Sequence, residues 1–236
     1  MRQDGRRRST HPLGPGDAFP IPPDRFIPVA EEAGLIPQVA ARVLELLVQD
    51  AKHILMLSPL CHFAVNFAAA DLHRTNIFEE VSALVESSGI RFTSLVIEAT
   101  ERSLVEVERA SESMQRLRAA GIKVAIDDFG TGYSSLAYLA QLEVDFLKID
   151  KLFVQSLGTD SATSHVALRI IDMANDLSLS IVAEGVETKE QEQSLKELGV
   201  GHAQGYLYGR PMVLDDLLDD LRRQRAAAKC RGQSQL

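Results

Sequence analysis

The 236-residue chain has a composition that excludes several classes of protein. Hydrophobic residues make up 45% of it and charged residues 25%, as in ordinary globular proteins, and no apolar run approaches the roughly 18 residues that span a membrane. The formal net charge of −8 argues against a broad nucleic-acid surface, which is usually basic, but is compatible with a small phosphate-containing ligand.

The two ends of the chain differ in composition from the rest. Residues 1–22 are rich in Arg, Pro and Gly without helical or strand periodicity, so we expect an extended or disordered arm. We expect one ordered domain over residues 23–225 and a loose tail over residues 226–236. Because no apolar stretch follows the N-terminal arginines and Cys61 and Cys230 lack metal-type spacing, we expect a cytoplasmic protein.

Helical and strand-like segments alternate along the chain. The pattern predicts helices over residues 24–34, 39–54, 78–86, 104–117, 136–141, 166–177, 189–198 and 214–225. It predicts strands over residues 62–66, 95–98, 124–126, 144–149, 180–184 and 203–206. This alternation favours a parallel sheet with crossover helices, as in a β/α barrel.

Polar residues stand at or just past the carboxyl ends of five of these strands. They are Asn66, Glu98, Asp127 with Asp128, Lys148 and Glu184. In a β/α barrel those ends meet on one face, which is where such folds place their chemistry. The recurrence therefore predicts a functional site there.

The stretch V-A-I-D-D-F-G-T-G-Y-S-S at residues 124–135 is the strongest local signal. Adjacent carboxylates such as Asp127 and Asp128 repel each other, so packing alone does not favour the pair. One or two divalent cations would neutralise both charges, since hard cations take oxygen ligands. Gly130 and Gly132 would let the backbone turn sharply beside them.

Seven motifs in order along the chain resemble the EAL-domain family, the bacterial phosphodiesterases that open cyclic di-GMP. The resemblance covers about residues 26–212. The motifs are F-I-P-V-A-E-E-A-G-L from Phe26, V-N from Val65, I-E-A-T-E from Ile97, I-D-D-F-G-T-G-Y-S-S-L from Ile126, L-K-I-D from Leu147, V-A-E-G-V-E-T from Val182 and Q-G-Y-L-Y-G-R-P from Gln204.

This resemblance implies an α/β fold, a TIM-like (β/α) barrel of EAL type, that hydrolyses cyclic di-GMP to the linear dinucleotide pGpG. It implies a two-metal site with the ligands Asn66, Glu98, Asp127, Asp128 and Glu184. An oxygen-rich set without cysteine or histidine favours Mg²⁺ or Mn²⁺ over Zn²⁺. Lys148 would lie next to the attacking water and the phosphate and act catalytically with Asp127, Asp128 and Glu184.

The resemblance also assigns supporting roles around the metals. Gln204 would complete the shell or orient waters, and Glu187 and Glu101 would brace the site from behind. The loop that Glu101 holds would contain Thr131, Gly132 and Ser134. Asp150 and Arg210 are candidate substrate contacts.

Each residue taken singly also has an ordinary structural interpretation. Asn66 could cap the following helix, and Asp150 could cap the next turn. Glu98 and Lys148 could form an ion pair inside a barrel mouth.

The sequence departs from the family at its start. The family takes its name from a Glu-Ala-Leu run on an early strand, whose glutamate is a metal ligand and which an arginine follows. This chain lacks the run, and counting back from His11 puts Asp4 and Arg8 at those two positions. Because residues 5–7 are not typical of a buried strand, we expect an N-terminally truncated barrel whose first strands, and one metal ligand, are missing.

Two hypotheses explain this departure. The start could be misplaced or the gene shortened, leaving a metal-dependent phosphodiesterase of reduced activity. Alternatively, the chain is a degenerate, non-catalytic member that acts as a cyclic di-GMP receptor or protein-interaction module. In both cases we expect cyclic di-GMP as partner, a possible homodimer that covers the open edges, no nucleic-acid polymer and no membrane segment.

Overall fold

The computed structural model of the protein describes residues 21–233, apart from 73, 75, 101, 102, 104–106, 131–138 and 140–143. The predicted N-terminal arm therefore lies almost wholly outside the described residues. So does the helix predicted over residues 136–141, except for Leu139, which is helical and buried.

Six parallel strands form one sheet in which each strand pairs with its neighbour in the sequence. They are β1 (Phe63–Phe67), β2 (Leu95–Thr100), β3 (Lys123–Phe129), β4 (Phe146–Ile149), β5 (Ser180–Ala183) and β6 (His202–Ala203). Because parallel neighbours need a crossover connection, helices lie between consecutive strands, apart from the connection between β3 and β4, most of which lies outside the described residues. Parallel strands in sequential order are the arrangement of a β/α barrel, so the predicted fold class is confirmed.

The described residues include nine α-helices with defined bounds, besides one 3₁₀ helix over Phe92–Ser94. They are α1 (Pro23–Glu32), α2 (Ile36–Leu57), α3 (Ala69–Leu72), α4 (Ile77–Ser88), α5 (Val107–Ala119), α6 (Lys151–Ser156), α7 (Ala162–Asp176), α8 (Lys189–Glu197) and α9 (Leu214–Gln233). In the part of the chain that the structure describes, none of them is long and apolar enough to cross a membrane.

Local signals set where several helices begin. The Ser161 hydroxyl accepts from the Ser164 amide and starts α7, while Thr188 and Gln191 form a capping box at the start of α8. Such caps satisfy backbone N–H groups that have no partner within the helix.

The hydrophobic core contains buried side chains from the strands and from the helices that pack against the sheet. Val124, Ala125 and Ile126 are all fully buried, although neighbouring strand residues face opposite sides of a sheet. Both faces of β3 are therefore covered, which explains its continuous apolar sequence.

Four elements differ most from the sequence prediction. The last strand, β6, stops at Ala203 instead of continuing to residue 206, because the chain turns at Gly205. The short helices α3 and α6 were not predicted, since each is less than two turns long. Helix α9 runs to Gln233, through most of the segment that we expect to be a loose tail, and the alanines at residues 226–228 favour helix there.

A network around Asp145 joins three elements at the amino ends of the strands. Its carboxylate accepts from Arg118 Nε of α5 at 3.2 Å, from Lys123 Nζ at 2.7 Å and from the Val124 amide at 3.0 Å. In β/α barrels this face serves stability, whereas the opposite face carries the chemistry.

Asp71 in α3 is a buried carboxylate outside that network. Its Oδ2 accepts from the Ala68 amide at 3.1 Å, and the residue is 1% exposed. Burial raises the pKa of Asp71 above its ordinary value of 3.8, because desolvation outweighs the Ala68 hydrogen bond and the Arg74 charge. Since the folded protein then binds the proton more tightly than the unfolded chain, the stability that this group contributes is present below 3.8 and is lost as pH rises through the folded pKa.

We therefore expect Asp71→Asn to stabilise the protein at neutral pH. The amide keeps an oxygen for the Ala68 amide and removes the buried charge, so the melting temperature should rise by about 2–4 °C at pH 7. At about pH 4, close to the ordinary value of 3.8, the gain should be smaller, because the raised pKa keeps more of the native carboxyl protonated there than at pH 7. Thermal unfolding at both pH values tests this, with the exposed Asp172→Asn as control; an equal shift at both would contradict it.

Candidate metal centre

The carboxyl ends of the strands bring together the polar residues noted in the sequence. Asn66 lies in β1 opposite Glu98 in β2, and Asp127 lies in β3 opposite Thr100. Lys148 lies in β4, and Glu184 directly follows β5. The parallel register thus places side chains from five successive strands on one face.

The ammonium group of Lys148 lies between three carboxylates. Its Nζ is 2.7 Å from Asp127 Oδ1, 2.9 Å from Glu98 Oε2 and 2.6 Å from Glu184 Oε1. The side chain is fully buried, and a buried charge is costly unless it is paired and hydrogen-bonded. The structure thus contains the ion pair between Glu98 and Lys148 that the sequence left as an ordinary alternative.

The side-chain amide of Asn66 joins the same cluster. With its nitrogen facing the carboxylates, it donates to Asp127 Oδ2 at 3.0 Å and to Glu98 Oε2 at 3.1 Å. This orientation follows from the surrounding acceptors. Turned over, the same amide offers an oxygen at that place, which is what a hard cation requires.

The carboxylates of Asp127 and Asp128 lie close together although the two residues are adjacent in the sequence. Oxygens of Asp127, Asp128 and Glu184 all lie within 4.8 Å of one another. The pairing of β3 with β4 shifts register between Ile126 and Phe129, and Asp128 has a φ of 55°. This left-handed backbone, which Asp tolerates better than most residues, removes the usual alternation of strand side chains.

Gln204, which directly follows β6, contacts Glu184. The Gln204 side chain donates to Glu184 Oε1. The Gln204 backbone donates to the Ala183 carbonyl at 2.8 Å and accepts from the Val186 amide at 3.0 Å, so pairing continues past β6. Gln204 therefore orients a carboxylate that Lys148 also contacts.

Two glycines that the sequence analysis did not single out allow this close approach. A Cβ on Gly185 would lie 2.4 Å from Lys151 Cβ, and one on Gly205 would lie 2.3 Å from the backbone nitrogen and oxygen of Val186. Each glycine directly follows a candidate site residue, Glu184 or Gln204. This position next to a candidate site residue is the sequence feature by which the two glycines could have been identified.

Three further candidates, Asp150, Glu187 and Arg210, have described contacts with residues outside the cluster. Asp150 caps α6 by accepting from the Leu152 amide at 2.8 Å, as its structural alternative predicted, and its contact with substrate stays a prediction. Glu187 is exposed at the start of α8, and the Arg210 guanidinium lies 4.7 Å from the centroid of the Tyr206 ring. The remaining site candidates lie outside the described residues: Glu101, Thr131, Gly132 and Ser134.

The donor set fits a divalent cation. Four carboxylates (Glu98, Asp127, Asp128 and Glu184) and one ammonium (Lys148) give a formal charge of −4 + 1 = −3 on a largely buried cluster. Carboxylate and amide oxygens without sulfur or imidazole suit Mg²⁺ or Mn²⁺. Such ions would also offset the remaining negative charge.

The chain is similar in sequence to proteins that are named as cyclic di-GMP phosphodiesterases. Over 212 residues the chain is 37% identical to PdeN of Escherichia coli (strain K12), a probable cyclic di-GMP phosphodiesterase, covering 89% of this chain and 40% of PdeN. It is 39% identical over 205 residues to the cyclic di-GMP phosphodiesterase NbdA of Pseudomonas aeruginosa, covering 86% of this chain and 26% of NbdA. The chain thus spans less than half the length of these two relatives.

The chain is also similar to solved structures, and it matches a family model. The fold superposes on the PaMucR phosphodiesterase in its c-di-GMP complex with a TM-score of 0.77 and 34% identity, covering 84% of this chain and 81% of that one. For the EAL domain of Mycobacterium smegmatis DcpA the TM-score is 0.72 and the identity 30%, covering 80% and 86%. Residues 14–211 match the EAL domain, beginning after Asp4 and Arg8, whose assignment stays a prediction. From these matches and the barrel-type sheet, the chain belongs to the EAL-domain family.

Proposed function

We propose that the chain hydrolyses one phosphodiester bond of cyclic di-GMP, giving the linear dinucleotide pGpG, in the presence of Mg²⁺ or Mn²⁺. The observation that carries this proposal is the convergence of Asp127, Asp128 and Glu184 within 4.8 Å beside buried Lys148. Relatives with 37–39% identity are named as cyclic di-GMP phosphodiesterases, which supports the substrate.

The residues that would hold the cations are Asn66, Glu98, Asp127, Asp128 and Glu184. Bound there, two divalent cations would neutralise charge on the phosphate oxygens and lower the pKa of the attacking water. The backbone bend at Asp128 supports this assignment, because it turns a second carboxylate towards the first.

The chain's own side chains supply positioning and charge. Lys148 places a positive charge where negative charge develops on the phosphate in the transition state. Glu184, held by Gln204, orients the water whose oxygen forms the new bond to phosphorus. The bond from phosphorus to the leaving ribose oxygen breaks, the water gives up one proton, the ribose oxygen takes one up, and the phosphate stays on the linear product.

We also propose that this activity is lower than that of a relative with the complete ligand set. Mg²⁺ favours near-complete octahedral coordination, and the sequence lacks the Glu-Ala-Leu run that supplies one ligand in the family. A homodimer that covers the sheet edges at β1 and β6, the outer strands of the described sheet, stays a prediction.

The direct test is to incubate the purified chain with cyclic di-GMP and Mn²⁺ or Mg²⁺ and to separate the products by chromatography. We expect linear pGpG, no product with EDTA, and no product from Asp127→Asn. Asp172→Asn makes the same chemical change at an exposed position on α7, where Asp172 lies near Arg169, and it should keep wild-type activity. Cyclic di-GMP binding without product, from folded protein, would contradict hydrolysis and favour the receptor alternative; neither binding nor product would favour an interaction module.

A further inference from the structure

We propose that Lys148 is an internal counter-ion for the metal centre: it holds the ligand carboxylates together before divalent cations bind, and it competes with those cations for the same oxygens. This inference rests on the proposed function, because it assumes that the cluster binds divalent cations. It adds a second role to a residue whose charge also serves the phosphate.

The contacts of Lys148 support the holding role. An ammonium group has three N–H donors, and one carboxylate oxygen from each of Glu98, Asp127 and Glu184 lies within 2.9 Å of Nζ. Two of these carboxylates lie in the strands β2 and β3, and the third directly follows β5. Lys148 therefore fixes their mutual distances from inside the sheet, where the side chain is fully buried.

The charge balance explains why such a counter-ion is needed. With Lys148 the cluster carries −3; without it the four carboxylates carry −4, and Glu98, Asp127 and Glu184 are at most 9% exposed. Like charges at these separations in a weakly screened environment repel strongly. Among the described residues, Lys148 supplies a positive charge in direct contact with three of these carboxylates, and this charge offsets part of their repulsion.

The same contacts imply competition. Glu184 Oε1 is engaged by Lys148 and by Gln204, and Asp127 Oδ1 by Lys148 and by the Asp128 amide. A divalent cation that binds these oxygens has to share their lone pairs with an ammonium group and bear its repulsion. Lys148 thus lowers cation affinity as a consequence of stabilising the cation-free site.

Lys148→Met tests both halves of the inference without substrate. In EDTA its melting temperature should fall about 5 °C or more below wild type, because the carboxylates lose their counter-ion. Saturating Mn²⁺ should remove most of that difference. The dissociation constant for Mn²⁺, measured from free Mn²⁺ by electron paramagnetic resonance, should be at least about tenfold lower in the variant.

Two further variants keep the test interpretable. Lys123→Met removes an exposed lysine that pairs with Asp145 at the opposite end of the strands, and its response to Mn²⁺ should equal that of wild type. Lys148→Met combined with Glu98→Gln restores the formal charge of −3, so it should regain stability in EDTA even if the single variant cannot be purified.

The outcomes separate this inference from the proposed function. If Mn²⁺ stabilises wild type and Lys148→Met equally, or binds the variant more weakly, Lys148 is not a competing counter-ion and only this inference is overturned. A double variant as unstable as the single one would overturn it too. If Mn²⁺ neither binds nor stabilises wild type, the metal-dependent function fails with it.

Discussion

Replacing Glu184 by glutamine should lower the rate of cyclic di-GMP hydrolysis at least about 100-fold while the protein stays folded. The substitution keeps the shape of the side chain and removes one negative charge. Glu184 Oε1 lies 2.6 Å from Lys148 Nζ and accepts from the side-chain amide of Gln204. Carboxylate oxygens of Glu184, Asp127 and Asp128 also lie within 4.8 Å of one another. Its loss should therefore weaken both cation binding and the orientation of water.

The measurement is the initial rate of pGpG formation over a range of Mn²⁺ concentrations. We expect a higher Mn²⁺ concentration for half-maximal rate and a lower maximal rate, since a lost ligand affects both. Glu197→Gln is the matched control, because Glu197 is exposed on α8, where it accepts from Gln193 Nε2 of the same helix at 2.9 Å. Activity of Glu184→Gln within about threefold of wild type would contradict the assigned role.

Gly205→Ala should have the largest effect on the structure. An added Cβ would lie 2.3 Å from both the nitrogen and the oxygen of Val186, a separation that the backbone cannot keep. Either the turn after β6 or the segment after Glu184 has to move. We expect a loss of about 3 kcal/mol or more in the free energy of unfolding, and loss of the contact between Gln204 and Glu184.

Gly201→Ala is the matched control for this change. Gly201 lies four residues earlier in the same segment, and a Cβ there would meet nothing within 4 Å. Its effect on stability should stay within about 0.5 kcal/mol. Denaturant unfolding of both variants, followed by activity of whichever remains folded, gives the comparison. Equal stability of the two variants would show that the turn at Gly205 tolerates a side chain.

Some elements of the fold could be predicted from the sequence and others could not. The strands β2 and β3 were predictable because continuous apolar runs indicate strands buried on both faces. The end of β6 was not, because it depends on where Gly205 approaches the backbone of Val186, which lies far away in the sequence. The length of α9 was also missed, since the pattern of apolar residues fades before the helix ends.

For the site, the sequence by itself determined the chemistry of the donors and their place at the carboxyl ends of parallel strands. Residue type decides whether an oxygen or an ammonium is offered, and strand direction decides at which end it lies. Only the tertiary structure decided that Lys148 lies within 2.9 Å of three carboxylates and that Asp128 turns towards Asp127 through a φ of 55°. These depend on the register between strands and on one backbone bend, and neither is encoded by local periodicity.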